Sequence, residues 1–261
     1  MASRKILLRK EKRQFVPELD REIRVEKEAM FYVTEPGRDF HTKYGAITAK
    51  ELKKKPGSSV KTSMGKEFTI IDADFGDDLR HIKRLPQTMS AKDMGLIVSA
   101  TGVNKESFAI DSGTGSGALA CYLAHLCKKV VSYEIIDKHI EVAKENQKFL
   151  GLKNLLIKKA SIYDKIPEKN ADLLVLDVPE PQKAIKTAEN ALKTGGYLVA
   201  YTIQATQMLN FTNELMKNKR FLFIKSCELI ERTWKAEGQI LRPSTAPFGH
   251  TGFLVFVRKI C

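Results

Sequence analysis

Three features of the sequence predict an α/β fold in which a doubly wound, Rossmann-like sheet follows a small N-terminal β domain. Beyond residue 81, β-prone apolar runs alternate with segments of helical length; a glycine-rich turn joins one run to the next helix; and residues 27–80 read instead as short β pieces cut by turn signals. Taken in order, residues 1–26 alternate Lys/Arg with Glu/Asp around Phe15, Leu19 and Ile23 and read as a basic N-terminal arm, either a short helix or a mobile segment. In the small β domain, 27–80, pieces at 30–33, 45–48 and 68–71 are separated by Pro36-Gly37, Pro56-Gly57 and Ser63-Met64-Gly65. After Pro86, Ser90 is placed to cap a helix through Met94, Ile97 and Val98, near the start of a domain over 81–261. Its expected strands are 107–111, 130–134, 155–160, 171–177, 196–202, 221–229 and 252–258, with helices at 117–126, 137–150, 183–192 and 205–218.

The 261 residues are 43% hydrophobic and carry 44 Lys+Arg against 31 Asp+Glu, a formal net charge of +13. That composition excludes a disordered tail, since a chain of this length buries most of the surface its unfolded state exposes. Its longest apolar runs, such as 173–176 and 253–257, fall far short of the roughly 20 residues a membrane-spanning helix needs. Ile6, Leu7 and Leu8 are too short a run for a secretory leader, and Cys121, Cys127, Cys227 and Cys261 show no C-x-x-C spacing, so a cytoplasmic protein with reduced, structural thiols is expected. His81, His125 and His139 form no ligand spacing with the cysteines, and no metal site is read.

The positive charge comes in runs. Residues 41–66 hold Lys43, Lys50, Lys53, Lys54, Lys55, Lys61 and Lys66 against Glu51 alone; residues 1–13 hold Arg4, Lys5, Arg9, Lys10, Lys12 and Arg13 against Glu11. Runs of this kind attract a phosphate backbone by counterion release, the plainer alternative being a solvated face.

Residues 108–119 form a strand, a Gly113-x-Gly115-x-Gly117 turn and the opening of a helix. A dinucleotide fold sets a pyrophosphate on such a turn, and Ala118 satisfies the looser form of that pattern, so the loop alone is ambiguous. The acids discriminate. Asp111 ends the strand before the first glycine, where it would repel pyrophosphate but favour a ligand carrying an ammonium and a sulfonium. Glu134 closes the next strand, where a carboxylate can accept both hydroxyls of a ribose. Together they fit S-adenosylmethionine, which has no phosphate, better than a dinucleotide. Taken singly, each has a plainer alternative, Asp111 as a helix N-cap and Glu134 as a surface acid.

Residues 173–181 read as a buried strand ending in Asp177, then Pro179 and Pro181. The prolines give a rigid, extended exit that presents Asp177 and leaves room for a flat base. With adenine N1 as the acceptor, Asp177 would take a hydrogen bond from the exocyclic amine and stabilise the positive charge developing on the ring. The alternative is a carboxylate that ties its own loop.

Several segments together resemble the TrmI family, the archaeal and bacterial tRNA (adenine-N1)-methyltransferases. They are Arg38-Asp39-Phe40-His41-Thr42 with Gly45; Arg84-x-Pro86-Gln87 and Lys92-Asp93; the loop Gly113, Thr114, Gly115, Ser116, Gly117, Ala118 and Leu119; and Ser132-Tyr133-Glu134. Further along come Asp177-x-Pro179-Glu180-Pro181, Tyr201-Thr202 with Gln207, and Arg242-Pro243 ahead of Gly249-His250-Thr251-Gly252-Phe253. The resemblance implies a class I S-adenosylmethionine-dependent methyltransferase sheet behind the β domain, assembly as a homotetramer, and methylation of adenine 58 in the TΨC loop of tRNA, with adenine 57 added in archaeal relatives. It implies a cofactor site of Gln87, residues 113–118, Glu134 and Asp177, with Asp177 facing the acceptor; Asp111 is often Glu in the family. The chain departs from the pattern at Ser161, where relatives carry an acid that meets the cofactor adenine; Ser161 itself or Asp164 takes that place. The basic arm is the second departure. His250 and His41 fall in matching segments as sheet-edge or site residues, and Trp234 is read as packing a hairpin.

Other readings are a methyltransferase for a protein side chain or small amine, a noncatalytic tRNA-binding subunit, and a dehydrogenase. The retention of Asp111, the three glycines, Glu134 and Asp177 argues against the last two.

Overall fold

The computed structural model describes residues 3–237, 240–245 and 249–261, and the chain divides into two units, Met1–His81 and Ile82–Cys261. The first contains β1 (Lys5–Arg9), β2 (Lys12–Val16), β3 (Arg21–Glu26), β4 (Ala29–Val33), β5 (Phe40–Thr42), β6 (Gly45–Ile47), α1 (Ala49–Leu52), β7 (Ser59–Lys61), β8 (Glu67–Asp72) and α2 (Phe75–Arg80). Its main sheet has the order β4-β1-β8-β7, all neighbours antiparallel. Leu7, Val33, Ile47, Leu52, Val60, Phe68 and Ile70 form its core.

The separate arm over 1–26 is corrected here. Ile6 and Leu7 are buried in an interior strand of that sheet, with Lys5 opposite Val33 on one side and Asp72 on the other. A three-residue apolar run is long enough to fill a strand. Residues 12–26 are neither helix nor loose arm but a β2–β3 hairpin whose side chains are mostly exposed, which is why its charges alternate without an apolar face.

The second unit holds α3 (Ala91–Thr101), β9 (Phe108–Ser112), α4 (Ala118–Leu126), β10 (Lys129–Glu134), α5 (Asp137–Leu150), β11 (Leu155–Lys159), β12 (Ala171–Leu176), α6 (Ile185–Ala191), β13 (Leu192–Thr202), α7 (Ala205–Met216), β14 (Phe221–Glu228), β15 (Trp234–Glu237), β16 (Ile240–Pro243) and β17 (Phe253–Lys259). Ser90 caps α3, accepting from the Asp93 N–H at 3.4 Å. The seven-stranded sheet runs β11-β10-β9-β12-β13-β17-β14. β9 to β13 pair in parallel, and β17 inserts antiparallel to both β13 and β14. Leu173 to Leu176 are fully buried, as expected of a parallel strand covered on both faces. The helix read over 183–192 opens as a 3-10 turn, Pro181–Ala184, with Pro181 at its first position, where the missing N–H would have no helical partner in any case.

The charge distribution differs from the runs visible in the sequence. The first unit carries 18 Lys+Arg against 14 Asp+Glu and the second 26 against 17, so +9 of the +13 belongs to the second. Acids distant in sequence offset the N-terminal cations: Lys5 pairs with Asp72 at 2.5 Å, Arg4 with Asp78 at 2.6 Å and Lys66 with Glu26 at 3.0 Å. Among the described residues, no helix is long and apolar enough to cross a membrane, and no group of three or more His, Cys, Asp or Glu is placed to hold a metal.

Candidate active site

The site lies at the carboxyl ends of β9, β10 and β12, where a doubly wound sheet binds its ligands. Gly113 follows β9 with φ +78°, and a Cβ there would collide with the Asp177 carbonyl oxygen. Only glycine lets the turn pass so close to the end of β12. The Gly113 N–H donates to the Tyr133 carbonyl at 3.0 Å, and the Asp177 N–H to the Ser112 carbonyl at 2.9 Å, so the turn is stitched to both neighbouring strands.

Three carboxylates converge on this turn. Glu134 Oε2 accepts from the Gly115 N–H at 3.0 Å, while Oε1 accepts from the N–H groups of Ile135 at 2.8 Å and Ile136 at 3.0 Å. Asp111, buried, accepts from the Ser132 hydroxyl at 2.5 Å, and Ser132 in turn meets the Thr114 hydroxyl at 2.6 Å. Burial chiefly, with the Glu134 charge adding, pushes Asp111 up to about 6 against the Ser132 hydrogen bond. Asp177 is pushed further, to about 8, by desolvation and then by Asp111 and Glu134. Its carboxylate has no hydrogen-bond partner among the described residues.

Two adjoining cavities share a wall of Pro86, Gln87, Gly113, Gly115 and Asp177. The larger, about 380 Å³, also exposes Glu134, Ser161, Ile135, Ile136 and His139. The smaller, about 40 Å³, is lined by Asp111, Thr114, Ser116 and Ala118 and holds one group of about the size of water or ammonium. No described lysine or arginine lines either one, and the acids that do, Asp111, Glu134 and Asp177, make the site suit a cationic ligand better than a pyrophosphate.

The structure brings together nearly all the residues singled out in the sequence, with two differences. Gly117 lines neither cavity: it has φ +78°, and a Cβ there would sit 3.0 Å from the Ala143 Cβ, so its role is packing of α4 on α5. Glu134 does not keep both oxygens for a ribose. Oε1 has spent its lone pairs on backbone amides, which leaves Oε2 one further acceptor position. Ser161 lines the larger cavity, its Oγ accepting from the Tyr163 N–H at 3.2 Å, whereas the exposed Asp164 is not among the lining residues.

Sequence reasoning missed the apolar floor. Ile135 and Ile136 are 63% and 47% exposed immediately after a buried acid, and two consecutive exposed isoleucines at a strand end are the signal that could have found it. It also missed the buried network at the rim. Lys92 donates to Asp93 at 2.9 Å, to the Leu229 carbonyl at 2.6 Å and to the Thr251 hydroxyl at 2.6 Å, and the Tyr201 hydroxyl donates to the Thr251 carbonyl at 2.8 Å. His250 lies beside it, Nδ1 at 2.5 Å from Glu228 Oε1 and Nε2 at 2.8 Å from the Ile203 carbonyl, and Ile203 lines the cleft. His41 is exposed on the β5–β6 hairpin, and Trp234 lies on the β15–β16 hairpin opposite Pro243 but 56% exposed.

Residues 104–244 match the model of a family described as a methyltransferase domain. The chain is 30% identical over 249 residues to the tRNA (adenine(57)-N(1)/adenine(58)-N(1))-methyltransferase TrmI of Methanocaldococcus jannaschii, covering 84% of this chain and 87% of that one. It is 29% identical over 229 residues to the tRNA (adenine(58)-N(1))-methyltransferase TrmI of Thermus thermophilus, covering 85% and 89%. Among solved structures, a SAM-dependent O-methyltransferase from Thermotoga maritima superposes with a TM-score of 0.79 at 30% identity, covering 98% of this chain and 93% of that one. The fold also matches tRNA (m1A58) methyltransferase TrmI from Aquifex aeolicus, with a TM-score of 0.76 at 22% identity over 98% and 97%.

Proposed function

The chain belongs to the TrmI family of S-adenosylmethionine-dependent tRNA (adenine-N1)-methyltransferases, and from that premise we propose that it methylates N1 of adenine 58 in the TΨC loop of tRNA, with adenine 57 as a second position. The observation that carries the reading is Asp177, a desolvated carboxylate without a hydrogen-bond partner among the described residues, on the wall shared by both cavities.

S-adenosylmethionine, when bound, supplies a methyl group on a positively charged sulfur. The residues that would hold it are Gln87, Asp111, residues 113–116, Glu134 and Ser161, with Gly117 and Ala118 fixing the start of α4 behind them. Asp111 faces a chamber of ammonium size, Glu134 keeps an acceptor position for a ribose hydroxyl, and Ile135 and Ile136 offer apolar surface to a purine.

Asp177 does the acceptor-side work. Burial and the neighbouring acids hold its proton to about pH 8, and positive charge entering the cleft ionises it. The carboxylate then accepts a hydrogen bond from the exocyclic amine of the adenine and presents N1. No proton leaves N1 during attack and the ring becomes cationic, so the contribution is positioning and charge stabilisation rather than general-base catalysis. The target base is stacked in folded tRNA and must be taken out of its stack to reach the cleft.

We also propose a cytoplasmic homotetramer that binds tRNA through its basic surface. Exposed Trp234, Ile240 and Leu241 on one hairpin support assembly, and four free thiols suit a reducing compartment. The deciding experiment is transfer of labelled methyl to bulk tRNA, nuclease digestion and mapping. The expected product is 1-methyladenosine at position 58. Label on an oxygen atom, the outcome favoured by the likeness to the Thermotoga maritima O-methyltransferase, or on protein would overturn the reading.

A further inference from the structure

A second cleft in the methyltransferase unit, about 480 Å³, lies where two stretches distant in sequence meet. Lys183 and Lys186 come from the 3-10 turn and α6; Lys217, Lys219 and Arg220 follow the end of α7. Lys183 pairs with Glu180 at 2.6 Å, Lys186 with Glu189 at 2.9 Å, Lys217 with Glu214 at 2.5 Å and Arg220 with Glu189 at 3.1 Å. Lys219 has no ion-pair partner among the described residues. Five cations against three acids leave the cleft positive. Lys183–Glu180 and Lys217–Glu214 are about half exposed or more on both sides, so these ion pairs are water-screened and exchangeable for another anion, whereas Lys186 and Arg220 share the buried Glu189. Gln182 lines the same cleft, and its amide oxygen is buried without a partner among the described residues, so a shift of this side chain toward the cleft would offer an acceptor to a hydroxyl donor.

We infer that this cleft binds the sugar-phosphate backbone of the RNA strand that carries the target adenine. Its position argues for that ligand. Gln182 and Lys183 follow Asp177 through the short exit containing Pro179 and Pro181, so one end of the cleft begins near the acceptor wall, while Lys217, Lys219 and Arg220 lie at its other end, before the start of β14 and toward the amino-terminal edge of the parallel strands. Cations for the phosphates and an unpartnered acceptor for a 2′-hydroxyl are what a ribonucleotide backbone needs. A base drawn out of its stack must be paid for by contacts along its own strand, and the methyltransferase unit, with +9 of the net charge, is the unit equipped to make them.

The inference rests on the proposed function, and its test separates the two. The double variant Lys183→Glu/Lys219→Glu touches no residue of the cofactor cleft. Binding of tRNA at near-physiological salt should weaken at least ~10-fold, and the log–log salt slope should fall by about 1–2 as phosphate contacts are lost. Affinity for S-adenosylhomocysteine and the melting temperature should not move. Lys53→Glu/Lys55→Glu, on the other unit, is the comparator; an equal loss from it would reduce the effect to general charge and overturn the inference. So would an unchanged slope in the cleft variant while the wild type still methylates tRNA. Saturable binding of inorganic phosphate that tRNA does not displace would assign the cleft to a small phosphate ester instead. A wild type that neither binds nor methylates tRNA would remove the proposed function, and this inference with it.

Discussion

At one end of the cofactor cleft Glu134 accepts hydrogen bonds from three backbone N–H groups, whereas at the other Asp177 accepts none from the described residues. The two carboxylates stand at the ends of β10 and β12, the strands on either side of β9, and differ in what surrounds them. Glu134 is locked in place by the turn that follows β10, as a group that must hold one orientation for a constant ligand. Asp177 is desolvated and kept waiting, the condition in which an incoming positive charge gains most from it. The largest expected effect follows from that contrast. Asp177→Ala should lower methyl transfer by roughly 10²–10³-fold while S-adenosylhomocysteine binding stays within a few-fold. Single-turnover assays on tRNA read the first quantity and calorimetry the second; equal losses in both would place Asp177 with Glu134 as a cofactor-holding residue.

The two ends are coupled through Gly113, and the next prediction breaks that coupling. Gly113→Ala puts a methyl into the Asp177 carbonyl at a backbone angle that L residues rarely adopt. The turn must shift, at a cost of about 2–4 kcal/mol, and cofactor affinity should be lost with it. Gly117→Ala has the same backbone strain but meets only the Ala143 side chain and backbone at 3.0 Å and beyond. It should lower stability with little change in cofactor affinity per folded molecule. Thermal melts with and without S-adenosylhomocysteine distinguish the two.

Legibility in the sequence followed the same division. Asp111, Gly113, Glu134 and Asp177 stand at strand ends, and a glycine turn between a strand and a helix constrains its neighbours locally, so their convergence could be read from spacing. The parallel core was equally readable, because its buried strands carry continuous apolar runs, as at 173–176. What stayed hidden depends on partners far along the chain. Residues 5–9 look like a basic arm until Asp72 and Asp78 are brought beside Lys5 and Arg4. The antiparallel insertion of β17 depends on pairing with both β13 and β14, and no spacing rule announces it. Lys92 makes contacts 137 and 159 residues away, to Leu229 and Thr251. The cationic cleft likewise joins 182–186 to 217–220, while the eye is drawn to 41–66, where the run is denser but the unit's net charge is lower.

A pH series sharpens the contrast further. In the unfolded chain aspartates ionise near pH 4, whereas folded Asp111 and Asp177 keep their protons to about 6 and about 8. Between pH 4 and 8 the folded protein therefore binds more protons than the unfolded one, and stability falls as pH rises through that window. Asp177→Asn removes the larger share, so it should raise the melting temperature of the cofactor-free protein by several degrees at pH 8 and by less at pH 5. The affinity ratio of S-adenosylmethionine over its uncharged-sulfur product should climb from pH 6 to 8 in the wild type and stay flat in Asp177→Asn. A flat ratio in both would mean that Asp177 does not sense the sulfonium.

The smallest effect concerns the rim beside Asp177. Both ring nitrogens of His250 face acceptors, the Glu228 carboxylate and the Ile203 carbonyl, and only an imidazolium donates to both. Glu228 and the Ile203 carbonyl accordingly raise its pKa, with the Lys92 charge opposing. A raised histidine contributes stability that is complete below its unfolded pKa and is lost as pH rises through the folded one. The pH dependence thus runs in the same direction as that of Asp177 but from a different atom, and the two variants separate them. His250→Gln places its N–H2 at one of the two ring-nitrogen positions and an acceptor oxygen at the other, so it cannot reproduce both donations. Its melting temperature should lie below the wild type at pH 6 and converge with it by pH 9, in an Asp177→Asn background as much as in the native one. A gap that persists at pH 9 would mean that His250 holds Ile203 through packing against Phe253, whose ring lies 4.8 Å away, rather than through its second proton.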